Sequence, residues 1–245
     1  MILPTTRIAC CNTDAMTLQV IAMGGYEISG PFGPPSVLER YLFETAGVST
    51  PRVCFLGTAS GDSPETIARF YEICEALPCE PSHLALFQDR DVEDLDAFLD
   101  ERDVVYVAGG NTASMLAVWR AHGLDRALAL RAAARDFVVG GASAGGMCWF
   151  DAGFTMSFGP LTPLHDGLGW FPGSFNPHAQ QPERLDAYCA AVARGSLPAG
   201  WAVDDGAALH YVDGRVARIV RAAAGALVHA VSESGAEAVD SDLIA

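Results

Sequence analysis

The feature that most narrows the fold is a series of short apolar segments without polar alternation: Leu18–Met23, Arg52–Leu56, His83–Phe87, Val104–Val107 and Phe137–Val139. Strands buried on both faces read this way, whereas strands with one wet face alternate. Between them lie stretches whose apolar residues recur every three or four positions, such as Ile67, Phe70, Tyr71, Cys74 and Leu77. That spacing predicts helices, placed at 36–46, from Pro64 onward, and at 92–99, 112–121 and 124–134. Strands alternating with helices predict an α/β fold, with a mainly parallel sheet flanked by helices on both faces. After Phe150 a Gly/Pro/Phe-rich stretch reads as irregular up to Pro177, and one more helix follows at 182–194. Short segments at 202–203, 207–212, 215–220 and 226–231 then read as antiparallel C-terminal strands finishing the same domain, with Asp213-Gly214 as a hairpin turn. Residues 1–16, which end at a second methionine, Met16, read as a flexible extension or an early start. Residues 17–245 read as a single α/β domain.

Composition sets the partners. The formal charge is −15, from 15 Lys and Arg against 30 Asp and Glu. A nucleic-acid binder needs a basic footprint and an anionic membrane attracts one, so neither is an expected partner. No apolar run reaches the roughly 18 residues that span a bilayer, and the first residues lack a cationic segment leading into an apolar one. An odd count of seven cysteines, some in apolar segments, reads as free thiols in a cytoplasmic protein. Cys10-Cys11 lack metal or redox spacing, and no metal site or cofactor is expected.

The chemistry concentrates in FVVGGASAGGMCWF, residues 137–150. Here a buried strand runs into Gly141-Ala142-Ser143-Ala144-Gly145, a G-x-S-x-G match, before a helix. Such an elbow exposes a serine Oγ as nucleophile and aims the following amide, that of Ala144, at a developing oxyanion. The competing reading is a glycine-rich turn without chemistry. A second turn, Gly109-Gly110-Asn111, lies between another strand and helix, at the same edge of a parallel sheet. Gly110 is placed there to donate a second amide. A phosphate-binding loop is the alternative, but neither of the usual glycine patterns is present. For the base, His83 and His122 sit at element ends, and His210 and His229 fall in C-terminal strands as surface or edge residues. His165 and His178 remain, with His178 favoured because Asn176-Pro177 stiffens its approach.

The motifs GGN at 109–111, SAG at 143–145, NPH at 176–178 and DDG at 204–206 together resemble the dipeptidase E and cyanophycinase group of serine peptidases. SFGPL, DGLGWFPGS and VDDGAALHY add to the likeness, which runs from about Gln19 to Val231. The resemblance implies a class I glutamine-amidotransferase-like, flavodoxin-like fold, with Ser143 as nucleophile, His178 as base and the Gly110 and Ala144 amides as oxyanion hole. It implies Asp205 as the acid, with Asp204 the fallback and Asp166 third. Where other members carry a further Asp, this chain has Met156. An amidotransferase would need cysteine at the elbow; Cys148 lies within the following helix and reads as inert.

The resemblance also implies a small peptide substrate with an N-terminal aspartate, and a monomer or homodimer. Arg184 is the candidate carboxylate clamp and Asn111 a candidate holder of the substrate backbone or amine. The alternatives are an amide hydrolase of longer peptides or of a cyanophycin-like polymer, and a catalytically impaired binding or regulatory protein.

Overall fold

The computed structural model describes residues 17–26, 34–88, 92–134 and 136–245; the expected extension at 1–16 and Cys10-Cys11 lie outside the described residues. The first half alternates as its apolar segments require. Its elements are β1 (Leu18–Met23), α1 (Val37–Glu44), β2 (Arg52–Leu56), α2 (Pro64–Ala76), β3 (Glu80–Leu84), α3 (Leu95–Asp100), β4 (Val104–Val107), α4 (Thr112–His122), α5 (Leu124–Ala134) and β5 (Phe137–Ala142). Helix starts follow local chemistry. Ser36 and Glu39 form a reciprocal capping box on α1, and Ser63 caps α2, which opens on Pro64.

Strands β1 to β5 form the parallel body of an eight-stranded sheet ordered β14-β11-β10-β1-β5-β4-β2-β3. The strand expected at 83–87 pairs instead as β3, over Glu80–Leu84. Its apolar end is drawn off because the Leu86 and Phe87 amides donate to the Asp62 carboxylate, at 2.6 and 3.0 Å.

The second half corrects one expectation and adds a second sheet. The stretch read as irregular between 150 and 177 contains three strands: β6 (Phe150–Thr155), β7 (Thr162–Leu164) and β8 (Phe171–Pro177), preceded by the short helix α6 (Ala144–Met147). Glycines, prolines and a bulge near Phe150 hide them from any periodicity. Nor do the C-terminal segments all join the first sheet. After α7 (Pro182–Ala193) come β9 (Gly200–Val203), β10 (Ala207–Val212), β11 (Arg215–Arg221), β12 (Val228–Ser232), β13 (Gly235–Val239) and β14 (Asp242–Leu243). Of these, β10, β11 and β14 extend the large sheet, while β9, β12 and β13 build a second, six-stranded sheet ordered β13-β12-β9-β8-β6-β7. The hairpin turn between β10 and β11 falls at Asp213-Gly214, both with positive φ (48° and 79°).

One apolar cluster reaches from Val20, Leu56, Val107 and Val139 of the large sheet to Phe150, Phe171, Phe175 and Val228 of the small one. Among the described residues no helix is long and apolar enough to cross a membrane.

His210, read as a surface or edge residue, is buried on β10 between β1 and β11. Its Nδ1 accepts from the Tyr41 hydroxyl at 2.7 Å and its Nε2 donates to Gln19 Oε1 at 3.0 Å. Burial, helped by Arg218, lowers its pKa from 6.5 to about 4. The unfolded chain therefore binds a proton that the folded one refuses between these values. His210 contributes its stability above pH 6.5 and loses it as pH falls toward 4. Thermal melts of His210→Gln should show a shallower loss of Tm than the wild type over that interval. Equal acid sensitivity would contradict the assignment.

Candidate active site

Ser143 sits between the end of β5 and the start of α6 with φ 56° and ψ −108°, a backbone that residues with a Cβ rarely adopt. The surroundings hold it there. Its N–H donates to the Met23 carbonyl at 3.1 Å, and its own carbonyl accepts from the amides of Gly146 and Met147. Ala144 opens α6, so its N–H has no acceptor within the helix. Gly109 lies against Ser143; a Cβ there would sit 3.5 Å from the serine Cβ. Gly110 has φ +142°, and a side chain there would overlap the Ala59 carbonyl, so the turn beside the elbow requires glycine.

His178 follows β8 and also has positive φ, 56°. Its Nε2 lies 2.9 Å from Ser143 Oγ and its Nδ1 lies 2.5 Å from Asp205 Oδ1. A carboxylate only accepts, so Nδ1 carries the proton and Nε2 is left to accept from the serine hydroxyl. This line of three is assembled from both sheets. Ser143 follows β5, His178 follows β8, and Asp205 lies in the link from β9 to β10.

The neighbouring acids have other work. Asp204 is buried, accepts the Leu227 N–H at 2.8 Å, and has its pKa raised by burial. Asp166 pairs on the surface with Arg120 at 2.6 Å. His165 is exposed, beyond β7. Cys148 is buried, and its thiol pKa is pushed well up by desolvation, as an inert thiol requires. Among the described residues no three His, Cys, Asp or Glu side chains gather as a metal site.

Two residues expected to touch substrate are engaged in the scaffold. Asn111 caps α4 through Oδ1, accepting the Ser114 N–H at 2.9 Å, and its Nδ2 donates to the Ser157 carbonyl at 3.0 Å. Arg184 is not an open fork: it is 6% exposed, with Nε donating to Asn176 Oδ1 at 3.0 Å and Nη2 to the Phe154 carbonyl at 2.8 Å. Burial lowers its pKa to about 10, which still leaves it protonated at neutral pH. Met156 is 62% exposed, on the loop that Asn111 holds.

Two residues escaped the sequence reading. Gln180 pins the acid from both sides: its Nε2 donates to Asp205 Oδ2 at 2.6 Å and its Oε1 accepts the Asp205 N–H at 3.0 Å. Its position two residues after His178 was the only signal. Gly25 forms a bridge with Asp205, and a side chain there would overlap the Asp205 carboxylate and crowd His178 Nδ1. Gly24 and Gly25 directly follow the apolar segment Leu18–Met23, but the partner of Gly25 is some 180 residues away.

This geometry predicts the reactivity of Ser143 toward a small fluorophosphonate. The second-order rate should fall by about 100-fold or more in His178→Asn and Asp205→Asn, and by about tenfold in Gln180→Leu. Asp204→Ala should lower stability by about 1–3 kcal/mol, seen as a lower Tm, while sparing the rate of the folded protein. Equal rate losses at Asp204 and Asp205 would contradict the arrangement.

Comparison with known proteins now places the chain. It is 43% identical over 215 residues to the uncharacterized peptidase YgaJ of Bacillus subtilis (strain 168), covering 87% of this chain and 91% of the relative. The crystal structure of a peptidase from an acI-B1 actinobacterium superposes with a TM-score of 0.65 at 16% identity, over 92% of this chain and 94% of the other. A candidate peptidase E protein from Listeria monocytogenes EGD-e superposes with a TM-score of 0.56 at 18% identity, over 82% and 96%. At these identities the two structures speak for the fold. The sequence pattern of peptidase family S51 matches residues 20–219, and with that span, the YgaJ relative and the shared fold, the chain belongs to peptidase family S51.

Proposed function

We propose that the chain is a serine peptidase that hydrolyses the peptide bond after an N-terminal aspartate in short peptides. The observation that carries the serine mechanism is the continuous hydrogen-bonded line from Ser143 Oγ through His178 to Asp205. In this reading His178 Nε2 takes the Ser143 proton as Oγ attacks the scissile carbonyl. The Gly110 and Ala144 amides receive the oxyanion. Asp205 holds the Nδ1 tautomer and stabilises the imidazolium while it forms. The imidazolium then protonates the leaving amine, and water, activated by the same histidine, releases the acid from the acyl-enzyme.

The aspartate preference has a physical basis in Arg184. Its partners, Asn176 Oδ1 and the Phe154 carbonyl, are neutral, so the guanidinium charge is buried without a hydrogen-bonded carboxylate. Asp205 is the acid whose charge acts on it. A buried cation facing only partial compensation lowers the energy of an anion in the adjoining site. In this reading Arg184 favours the substrate carboxylate through its field rather than by direct contact. Such a local cation is needed, because a chain of net charge −15 repels anions at long range.

Purified protein should cleave Asp-Leu faster than Asn-Leu, and Ser143→Ala should abolish the cleavage. Arg184→Gln should reduce the Asp/Asn ratio by about tenfold or more, seen mainly in KM. Cleavage that survives Ser143→Ala would overturn the nucleophile. Equal rates on Asp-Leu and Asn-Leu would overturn the aspartate preference while leaving the serine mechanism standing.

A further inference from the structure

Eight large apolar side chains stand exposed among the described residues, and four of them, Tyr26, Phe87, Met156 and Phe158, lie on segments that backbone and side-chain contacts link to the 109–111 turn or to Asp205. Each loop is tied to the oxyanion turn or to the triad. Met156 and Phe158 flank Ser157, whose carbonyl accepts from Asn111 Nδ2 at 3.0 Å and whose Oγ accepts the Ala113 N–H at 3.2 Å. The same Oγ bonds Thr155 Oγ1 at 2.8 Å, so the loop is fixed rather than loose.

Phe87 is held through its amide by Asp62, whose own N–H donates to the Gly57 carbonyl. The Asn111 amide donates to Ala59 in that same 57–62 turn, at 2.8 Å. Tyr26 follows Gly25, the residue bridged to Asp205, and its hydroxyl lies 3.4 Å from that of Tyr106.

Exposure of 53% at Phe87, 62% at Met156 and 65% at Phe158 leaves most of each side chain in water. Scattered single apolar residues need no explanation, but exposed ones that recur on segments linked to one candidate site mark a binding surface. We propose that Met156, Phe158 and Phe87, with Tyr26 at their inner edge, form an apolar rim that selects peptides with a large apolar side chain on the residue after the scissile bond. The inference rests on the peptidase reading above and deepens it. When a single residue occupies the acyl side, everything beyond the scissile bond extends outward from Ser143, toward the loop tips where the rim stands. An apolar side chain there covers the rim and is itself removed from water. A glycine covers nothing, and an acidic side chain sets its charge against mainly apolar groups while adding repulsion from the net negative chain.

The test compares kcat/KM for Asp-Leu and Asp-Phe with Asp-Gly and Asp-Glu. The wild type should favour the apolar pair by about tenfold or more. Met156→Ser/Phe158→Ser should bring that ratio to within about threefold, through KM, whereas Val48→Ser/Leu130→Ser, exposed elsewhere, should leave it intact. Equal kcat/KM across the wild-type panel, or a ratio that survives in the rim variant, overturns the proposal. Failure of the aspartate reading shows separately, as equal rates on Asp-Leu and Asn-Leu, and the rim ratio is then read on whichever acyl residue is turned over. If no dipeptide is cleaved, Ser143 labelling by a benzyl-bearing fluorophosphonate, relative to a methyl one, takes its place. Loss of the benzyl advantage in the rim variant supports the rim, and no benzyl advantage in the wild type overturns it.

Discussion

The contact on which the site depends is the close approach of Gly25 to Asp205, where the two sheets meet. Ser143 is carried by the large sheet and His178 by the small one, so neither sheet alone builds the hydrogen-bonded line. Asp205 sits in the chain that passes from one sheet to the other. Its backbone is bridged to the end of β1 while its carboxylate reaches the histidine at the end of β8. Any side chain at position 25 would push the carboxylate away. The backbone of Asp205 is thereby tied to the sheet that carries Ser143, while its carboxylate reaches the histidine carried by the other.

Local strain follows from the same need. Ser143 and His178 are two of the four non-glycine residues with positive φ among those described. Each stands at a strand end, where an ordinary backbone would continue the strand and bury the side chain. The left-handed conformation turns the chain at once and brings Oγ and Nε2 to 2.9 Å. Such strain persists only where packing over-determines it. At Ser143 this is done by the Met23 carbonyl and the amides of α6; around His178, Ala179 donates to Val203 and Gln180 clamps Asp205.

The parallel body of the fold was legible because β1, β2, β4 and β5 are apolar on both faces. The elbow was legible because serine between small residues after such a strand has few other uses. The small sheet was not: β6 and β8 carry glycine, proline and aromatic residues in no simple period, and their pairing is long-range. Asp204 and Asp205 are identical in local chemistry, and only the fold makes one a buried acceptor for Leu227 and the other a partner of His178. Arg184 and Asn111 are similar cases. A cation and an amide near the motifs suggest ligands, yet Phe154 and Ser157, whose carbonyls hold them, lie 30 and 46 residues away and could not be read from the sequence. His210 misled for the opposite reason, since alternation on β10 suggested an edge where the fold supplies neighbours on both sides.

The central claim is that Ser143 carries a covalent acyl group during turnover. Rapid quenching of the enzyme with an Asp-X peptide, followed by mass mapping of the digested protein, tests it directly. The account predicts an aspartyl adduct on the peptide that contains Ser143, present in the wild type and absent from Ser143→Ala. Turnover with no adduct, or an adduct on another residue, would contradict it.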